Sequence, residues 1–263
     1  MPTETPLISC LCVTYKRADF LRRAIDCFRN QTYQSKELMI LFQDDDKATR
    51  GIIDGIKDNN IHSLEVRSAD NLTLGGKRNL SIEAGNGKYF CIWDDDDWYH
   101  PQRLEVQMDA IKNNHRDASV LTHLILYDCL KQQAYLSQPW PWEGTLLCKK
   151  DLVGALSSYR ETDKGEDSWL LRDLIRNNHV FPVIKPILYI YNYTGLNTWG
   201  YNHFGRFFSR SQKLSAGSSA LITGILENKT GPGEASALLN NRELQKDLNY
   251  LFWATPVFDK ILK

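Results

Sequence analysis

Long hydrophobic runs are missing from this chain. No apolar stretch approaches the ~18 residues a bilayer-spanning helix needs, which excludes transmembrane helices. The opening residues, MPTETPLISCLCVTYKR, lack the charged-then-apolar order of a secretory signal. An excess of either charge is missing as well: 32 Lys and Arg face 32 Asp and Glu over 263 residues. No overall field favours nucleic acid, so nucleic acid is not an expected partner. Six cysteines (10, 12, 27, 91, 129 and 148) include no CxxC pair. Cys10 and Cys12 stand one residue apart on a predicted strand, side chains on the same face, which reads as core packing rather than metal or redox chemistry. A reducing cytoplasm is the expected compartment. The five Asn-x-Ser/Thr tripeptides, at Asn30, Asn71, Asn79, Asn192 and Asn228, then carry no meaning as glycosylation sites, because that modification requires secretion.

With 42% hydrophobic residues and 7 tryptophans, the chain can bury a substantial core, as one large domain or a domain with an appendage. Leu7–Tyr15 (LISCLCVTY) is continuous, apolar and β-prone, as a strand buried on both faces should be. Asp19–Arg29 carries a helical apolar face (Phe20, Leu21, Ala24, Ile25, Phe28). Leu38–Phe42 is a second buried strand, Ile52–Ile56 a short helix and Ser63–Arg67 an edge strand. Asn71–Gly76 reads as a loop, Lys77–Ala84 as a helix, and Tyr89–Trp93 as a further buried strand. The strand–helix–strand rhythm predicts an α/β fold with a mainly parallel sheet and helices on both faces. Beyond it, Pro101–Asn113 and Asp167–Asn177 look helical, Ala118–Tyr127 strand-like, and Val180–Tyr193 holds one or two strands. Leu146–Leu156 mixes a strand with a helix start, and Pro139–Trp142 cannot be regular structure. From about 205 onward the pattern is mostly helical, broken at Gly231-Pro232-Gly233.

In open parallel sheets, ligands bind outside the carboxyl ends of the strands. Three predicted strands end in polar or acidic residues: Thr14-Tyr15, Asp44-Asp45-Asp46 and Asp94-Asp95-Asp96-Asp97. Two carboxylates ~4 Å apart repel by about 4 kcal/mol at an effective dielectric of about 20. Four at the mouth of a buried strand therefore call for a cation or for bound protons. Hard divalent ions prefer such oxygens and recruit phosphate oxygens beside them. If the strand continues, Asp94 and Asp96 share one side. The bland alternative is a solvated acidic turn. Leu74-Gly75-Gly76-Lys77-Arg78-Asn79 opens onto a helix and offers backbone N–H groups and two cations to an anion, although GxxxxGK[ST] is absent. Gly165-Glu166-Asp167 begins a helix, which alone is only a helix-start signal.

Together these motifs resemble the inverting family-2 glycosyltransferases of GT-A fold, of the non-processive bacterial type. The resemblance is carried by LISCLCVTYKR, the acidic end of the second strand, GGKRNLSIEAGNGKYF, IWDDDDWYHPQRLE and GEDSWLL, over residues 6–110 and 140–195. It implies a nucleotide-diphosphate-sugar donor, UDP-linked, and a glycan or lipid-linked acceptor. Thr14, Tyr15 and Arg17 would lie near the nucleotide, with Asp44 on the base (Asp45 is the alternative, because Asp-Asp-Gly-Ser is replaced by QDDD). Lys77 and Arg78 would face the diphosphate. Asp94 would face ribose with Asp95 beside it, Asp96 would hold Mg²⁺ or Mn²⁺, and Asp97 would stand behind. Asp167 is the implied base and Glu166 its acidic neighbour. His203 is either a further metal ligand or a packing residue. Trp140, Trp142, Glu143 and Gly144 fall where the family builds its sugar and acceptor pocket, although tryptophans also serve as core. The QxxRW motif of processive members is absent.

The resemblance divides the chain into a GT-A domain over 1–204 (nucleotide half 1–100, acceptor half 101–204) and a helical extension over 205–263. It suggests cell-surface polysaccharide assembly. Leu248–Lys263 is either a helix docked on the core or a contact with a membrane inner face or a partner; a homodimer is a separate candidate assembly. Two rivals stand beside the transferase. A sugar nucleotidyltransferase would share the sheet and the aspartates, but Thr14-Tyr15-Lys16-Arg17 replaces its glycine-rich loop. A catalytically inactive nucleotide-sugar-binding module would not need both acidic pairs. Residues 70–76 and 195–205 are candidate lid segments.

Overall fold

A computed structural model describes residues 5–227 and 232–249. In chain order these form β1 (Ile8–Val13), α1 (Ala18–Arg29), β2 (Lys36–Gln43), α2 (Lys47–Asp54), β3 (Ile61–Val66), α3 (Leu74–Ala84), β4 (Tyr89–Ile92), β5 (Trp98–Tyr99) and α4 (Arg103–Asn113). Then follow β6 (Ala118–Leu121), β7 (Ile125–Asp128), β8 (Gln133–Leu136), β9 (Leu147–Lys149), α5 (Glu166–Arg176), β10 (Val180–Val183) and β11 (Tyr189–Tyr193). The rest is α6 (Tyr201–Arg210), β12 (Gln212–Lys213), α7 (Ala216–Leu226), α8 (Pro232–Leu238) and α9 (Arg242–Leu248).

The main sheet runs β10-β6-β9-β4-β1-β2-β3. β4, β1, β2 and β3 pair in parallel, as do β6 and β10; β9 lies antiparallel between β4 and β6. The continuous apolar sequence of β1 follows from burial on both faces. Ile8, Cys10 and Cys12 enter one core with Leu21, Ala24 and Phe28 of α1, while Leu11 enters the other with Met39, Ile82 and Phe90. The cysteines are packing residues: all six are free thiols, and five are fully buried.

A second sheet, β12-β8-β7-β11-β5, was not read from the sequence. Its strands are two to five residues long, too short for periodicity to speak. The predicted single strand Ala118–Tyr127 is in fact two, β6 in the main sheet and β7 in the second. The chain turns between them at Thr122-His123-Leu124, all buried, so the apolar pattern never breaks. A second correction concerns α3. It begins at Leu74, not Lys77, because Thr73 caps it by accepting from Gly76 N at 3.1 Å. The two glycines therefore lie in its first turn. Gly75 has a packing reason: a Cβ there would sit 1.7 Å from the Arg160 carbonyl oxygen. Residues 74–76 and 201–205 of the candidate lids are thus helical.

Phe204 and Phe208 of α6, Ile222 and Ile225 of α7 and Leu244 of α9 join the larger core, and β12 adds a strand to the second sheet. Residue 204 lies inside α6. Of the predicted break at 231–233, residue 231 lies outside the described residues and Pro232 begins α8; the tail Leu248–Lys263 lies outside them from residue 250 onward, and Leu248 is buried. Among the described residues, no helix is long and apolar enough to cross a membrane.

Candidate active site

The order of strands reverses between β1 and β4, and the loops following both strands open onto a cavity of about 340 Å³. β9 runs the opposite way, so the turn before it, Glu143-Gly144-Thr145, reaches the same edge. The first turn of α5 and the 194–200 loop close the far side.

The acidic run departs from the expected alternation. β4 ends at Ile92, and residues 95–97 form a turn, so Asp94 and Asp96 do not share a strand face. The four carboxyls instead take separate partners. Asp94 accepts from Arg78 Nη2 at 3.1 Å. Asp95 accepts from Thr14 Oγ1 at 2.6 Å and from Arg17 Nη1 at 3.2 Å. Asp96 accepts from the same Arg17 Nη1 at 2.8 Å and from Asn197 Nδ2 at 3.0 Å. Asp97, fully buried, accepts from the Tyr189 hydroxyl and from Asn192 N. Arg23 Nη2 and Asn192 Nδ2 donate to the Asp96 carbonyl oxygen, and the Tyr99 hydroxyl to that of Asp94. Burial first, then the charge of Asp95, pushes the Asp96 carboxyl up to about 7. Burial likewise raises Asp95 and Asp97.

Arg78 joins this corner to α5. Its buried guanidinium donates to Glu166 Oε1 at 2.5 Å and lies 3.5 Å from Asp167 Oδ2, with the Tyr159 ring beneath it. Gly165, at φ +69°, adopts a left-handed conformation that favours glycine and turns the chain into α5. The two carboxyls then diverge. The Glu166 side chain is 5% exposed and Asp167 is 23% exposed. Burial, only partly offset by Arg78, pushes Glu166 up to about 7.

Arg17, Arg78, Asp94, Asp95, Asp96, Glu166 and Asp167 all line the cavity, as do Trp140, Trp142, Glu143, Gly144 and His203. Thr14, Tyr15, Asp44 and Lys77 do not. Thr14 is held on Asp95 and Tyr15 donates to Asp45 at 2.9 Å, whereas Asp44 accepts from Ser68 N at 2.8 Å. Asp45, the alternative register, is therefore the one beside Tyr15. His203 is stacked on Trp199, ring centroids 4.2 Å apart, with burial lowering its pKa. Sequence reasoning missed Asn197, Asn192, Tyr189, Arg23 and Ser168. None carries a local motif, and each meets its partner only through the tertiary fold.

A family model for glycosyl transferase family 2 matches residues 9–182, more than half of the chain. The chain belongs to glycosyl transferase family 2. Among curated relatives it is 30% identical over 120 residues to the uncharacterized glycosyltransferase MJ1057 of Methanocaldococcus jannaschii, covering 45% of this chain and 41% of that protein. It is 24% identical over 103 residues to the amylovoran biosynthesis glycosyltransferase AmsB of Erwinia amylovora, covering 37% and 33%. These matches span less than half the length of either relative. Among solved structures, S. aureus TarS 1–349 in complex with UDP-GlcNAc superposes with a TM-score of 0.60 at 12% identity, over 92% of this chain and 78% of that one. The mannosyltransferase PcManGT of Pyrobaculum calidifontis, in complex with GDP-Man and Mn²⁺, gives 0.56 at 14% identity, over 99% and 75%. At such identities the likeness shows the shared GT-A-like α/β fold alone.

Proposed function

We propose that this family-2 protein transfers one sugar from a nucleotide-diphosphate sugar to a hydroxyl of a glycan or lipid-linked acceptor, inverting the anomeric centre. One observation carries the reading. Arg78 ties the acidic corner after β4 to the carboxyl pair opening α5, so a donor-binding end and a proton-accepting end share one cavity. A sugar nucleotidyltransferase gives no reason for the second pair.

A divalent cation suits the donor set. Asp94 and Asp96 offer hard carboxylate oxygens at the cavity wall, where two guanidiniums, Arg17 and Arg78, stand among four aspartates. Among the described residues, no three His, Cys, Asp or Glu side chains gather into a complete cage. That suits a cation which completes its shell with substrate phosphates and water. Asp96, with Asp94, would hold Mg²⁺ or Mn²⁺, which supplies neutralisation of the charge growing on the leaving diphosphate. His203, stacked on Trp199, is assigned to the pocket wall rather than to the cation.

Thr14, Tyr15 and Asp45 would border the nucleotide, and Arg17 and Arg78 would steer its phosphates. Lys77 and Asp44 stand further out. Asp167 accepts the proton of the acceptor hydroxyl as that oxygen bonds the anomeric carbon. The bond from that carbon to the diphosphate oxygen breaks, and its electron pair leaves with the diphosphate. Trp140, Trp142 and Gly144 shape the pocket that excludes competing water.

The nucleotide half would be 1–100 and the acceptor half 101–204, with 205–263 as the extension. AmsB's name supports a role in polysaccharide biosynthesis; a place at the cytoplasmic side of a membrane is part of the proposal. Calorimetry of UDP- and GDP-sugars with and without Mn²⁺ tests the reading. One donor should bind at least tenfold more tightly with Mn²⁺ and release its diphosphate when an acceptor is added. A chain that neither binds nor cleaves any of them overturns it.

A further inference from the structure

Among the described residues, Glu143 is a carboxyl without a cation partner. Its Oε2 accepts from Trp140 Nε1 at 3.3 Å and its Oε1 from Ser168 Oγ at 3.4 Å, both long and both from neutral donors. Among the described residues, no Lys, Arg or His forms an ion pair with it, whereas Glu166 is held by Arg78. A carboxylate offers about four acceptor sites, and two of these are used. The remaining capacity belongs to a side chain that lines the cavity beside Asp167.

The position is rigid. Trp142 N donates to Leu121 O at 3.1 Å, Leu121 N donates to Thr145 Oγ1 at 2.8 Å, and Thr145 Oγ1 donates to Trp142 O at 2.7 Å. The turn bearing Glu143 is thereby bolted to β6. It also approaches the donor end, since a Cβ on Gly144 would lie 3.4 Å from Asp94 Oδ2. Trp140, Trp142, Tyr191, Trp199 and Phe207 wall the same cavity with aromatic surface, which suits the C–H groups of a sugar ring. Burial and then the charge of Asp167 push Glu143 up to about 7. An unpaired, desolvated acid of this kind is costly to the fold and is characteristic of functional sites.

We propose that Glu143 reads the acceptor. Its carboxyl accepts a hydrogen bond from the hydroxyl next to the one that attacks, so the acceptor's reacting end is a sugar ring with two neighbouring hydroxyls. This rests on the transferase reading and adds the acceptor's chemistry to it. Glu143 takes no proton from the attacking oxygen; that proton goes to Asp167.

The test uses the full chain, the donor found by calorimetry, and methyl hexopyranosides with their monodeoxy analogues as acceptors. In the unaltered protein, removing the hydroxyl beside the reacting one should lower kcat/KM about 10²-fold, since a site built to bond a hydroxyl rejects its absence. In Glu143→Ala the same deletion should cost less than about threefold. In the isosteric Glu143→Gln, which protects against a folding failure, the penalty should shrink about tenfold, with the parent acceptor's KM raised more than kcat is lowered. A penalty that survives in both variants, or an unaltered protein indifferent to every neighbouring hydroxyl, overturns the proposal. An unaltered protein inert toward every donor overturns the transferase reading and this inference with it.

Discussion

Asp167→Asn separates the two carboxyls at the start of α5. A base must reach the acceptor, and the geometry differs sharply between the candidates. Glu166 is buried and bound to Arg78 at 2.5 Å; Asp167 is more open and lies 3.5 Å from the same guanidinium. The amide removes the proton acceptor at nearly constant volume. A positioned base contributes ~10²–10⁴-fold, which is about 2.7–5.4 kcal/mol of barrier. Loss of kcat in that range is therefore expected in an assay of nucleotide release. Donor affinity by calorimetry should stay within about threefold, because Arg78 keeps Asp94 and Glu166 as partners. Glu166→Gln supplies the contrast. Its carboxyl stands at about 7 against an ordinary 4.5, so burial outweighs the pull of Arg78. As pH rises from about 4.5 to about 7, the unfolded chain releases this proton first, and stability is lost across that window. The rise corresponds to about 3 kcal/mol as an upper bound. Glu166→Gln should thus melt at or above the unaltered protein at pH 8, offset by a weaker bond to Arg78. Turnover of Asp167→Asn within tenfold of the unaltered protein would refute the base assignment. So would a fall in donor affinity as large as the fall in kcat.

Asp96→Ala should weaken Mn²⁺ and donor together by at least tenfold, since it also removes the acceptor shared by Arg17 and Asn197; calorimetry that shows either affinity unchanged sinks that role. Glu143→Gln should gain on the unaltered protein in chemical denaturation as pH rises from about 4.5 to about 7, then level off, because the folded Glu143 holds its proton to about 7 while the unfolded one releases it. The gain should be of order 1–3 kcal/mol, and a difference that shrinks with rising pH contradicts the sign. Gly75→Ala drives a methyl into the Arg160 carbonyl oxygen, 1.7 Å from the ideal Cβ, and should cost about 1–3 kcal/mol or more. It should also lower turnover, because the same contact seats α3, with Arg78, against the residues leading into α5; unchanged melting and activity would count against that packing.

The parts legible in the sequence were those in which one segment carries the whole signal. β1, β2 and β4 read as strands because burial on both faces demands an unbroken apolar run, and the acidic run after β4 marked the edge of the cavity, whereas the acidic end of β2 lies outside its lining. The second sheet was illegible for the opposite reason. β5 and β12 are two residues long, and β6 and β7 are joined by three buried residues, so neither period nor polarity marks where one sheet ends and the next begins. The site divides in the same way. Each acidic cluster was visible locally, but which carboxyl does what depends on cations brought from elsewhere. Arg17 bridges Asp95 and Asp96 from about 80 residues away, and Arg78 reaches Glu166 across 88. The expected alternation of Asp94 and Asp96 failed because the chain turns immediately after β4, and that turn lets one guanidinium hold two adjacent aspartates. The order of residues reveals that negative charge is concentrated; only the fold reveals that Glu166 is paired with Arg78 while, among the described residues, Glu143 forms no ion pair. On the proposed reading, that difference makes the first a positioning group for Arg78 and leaves the second to meet a substrate.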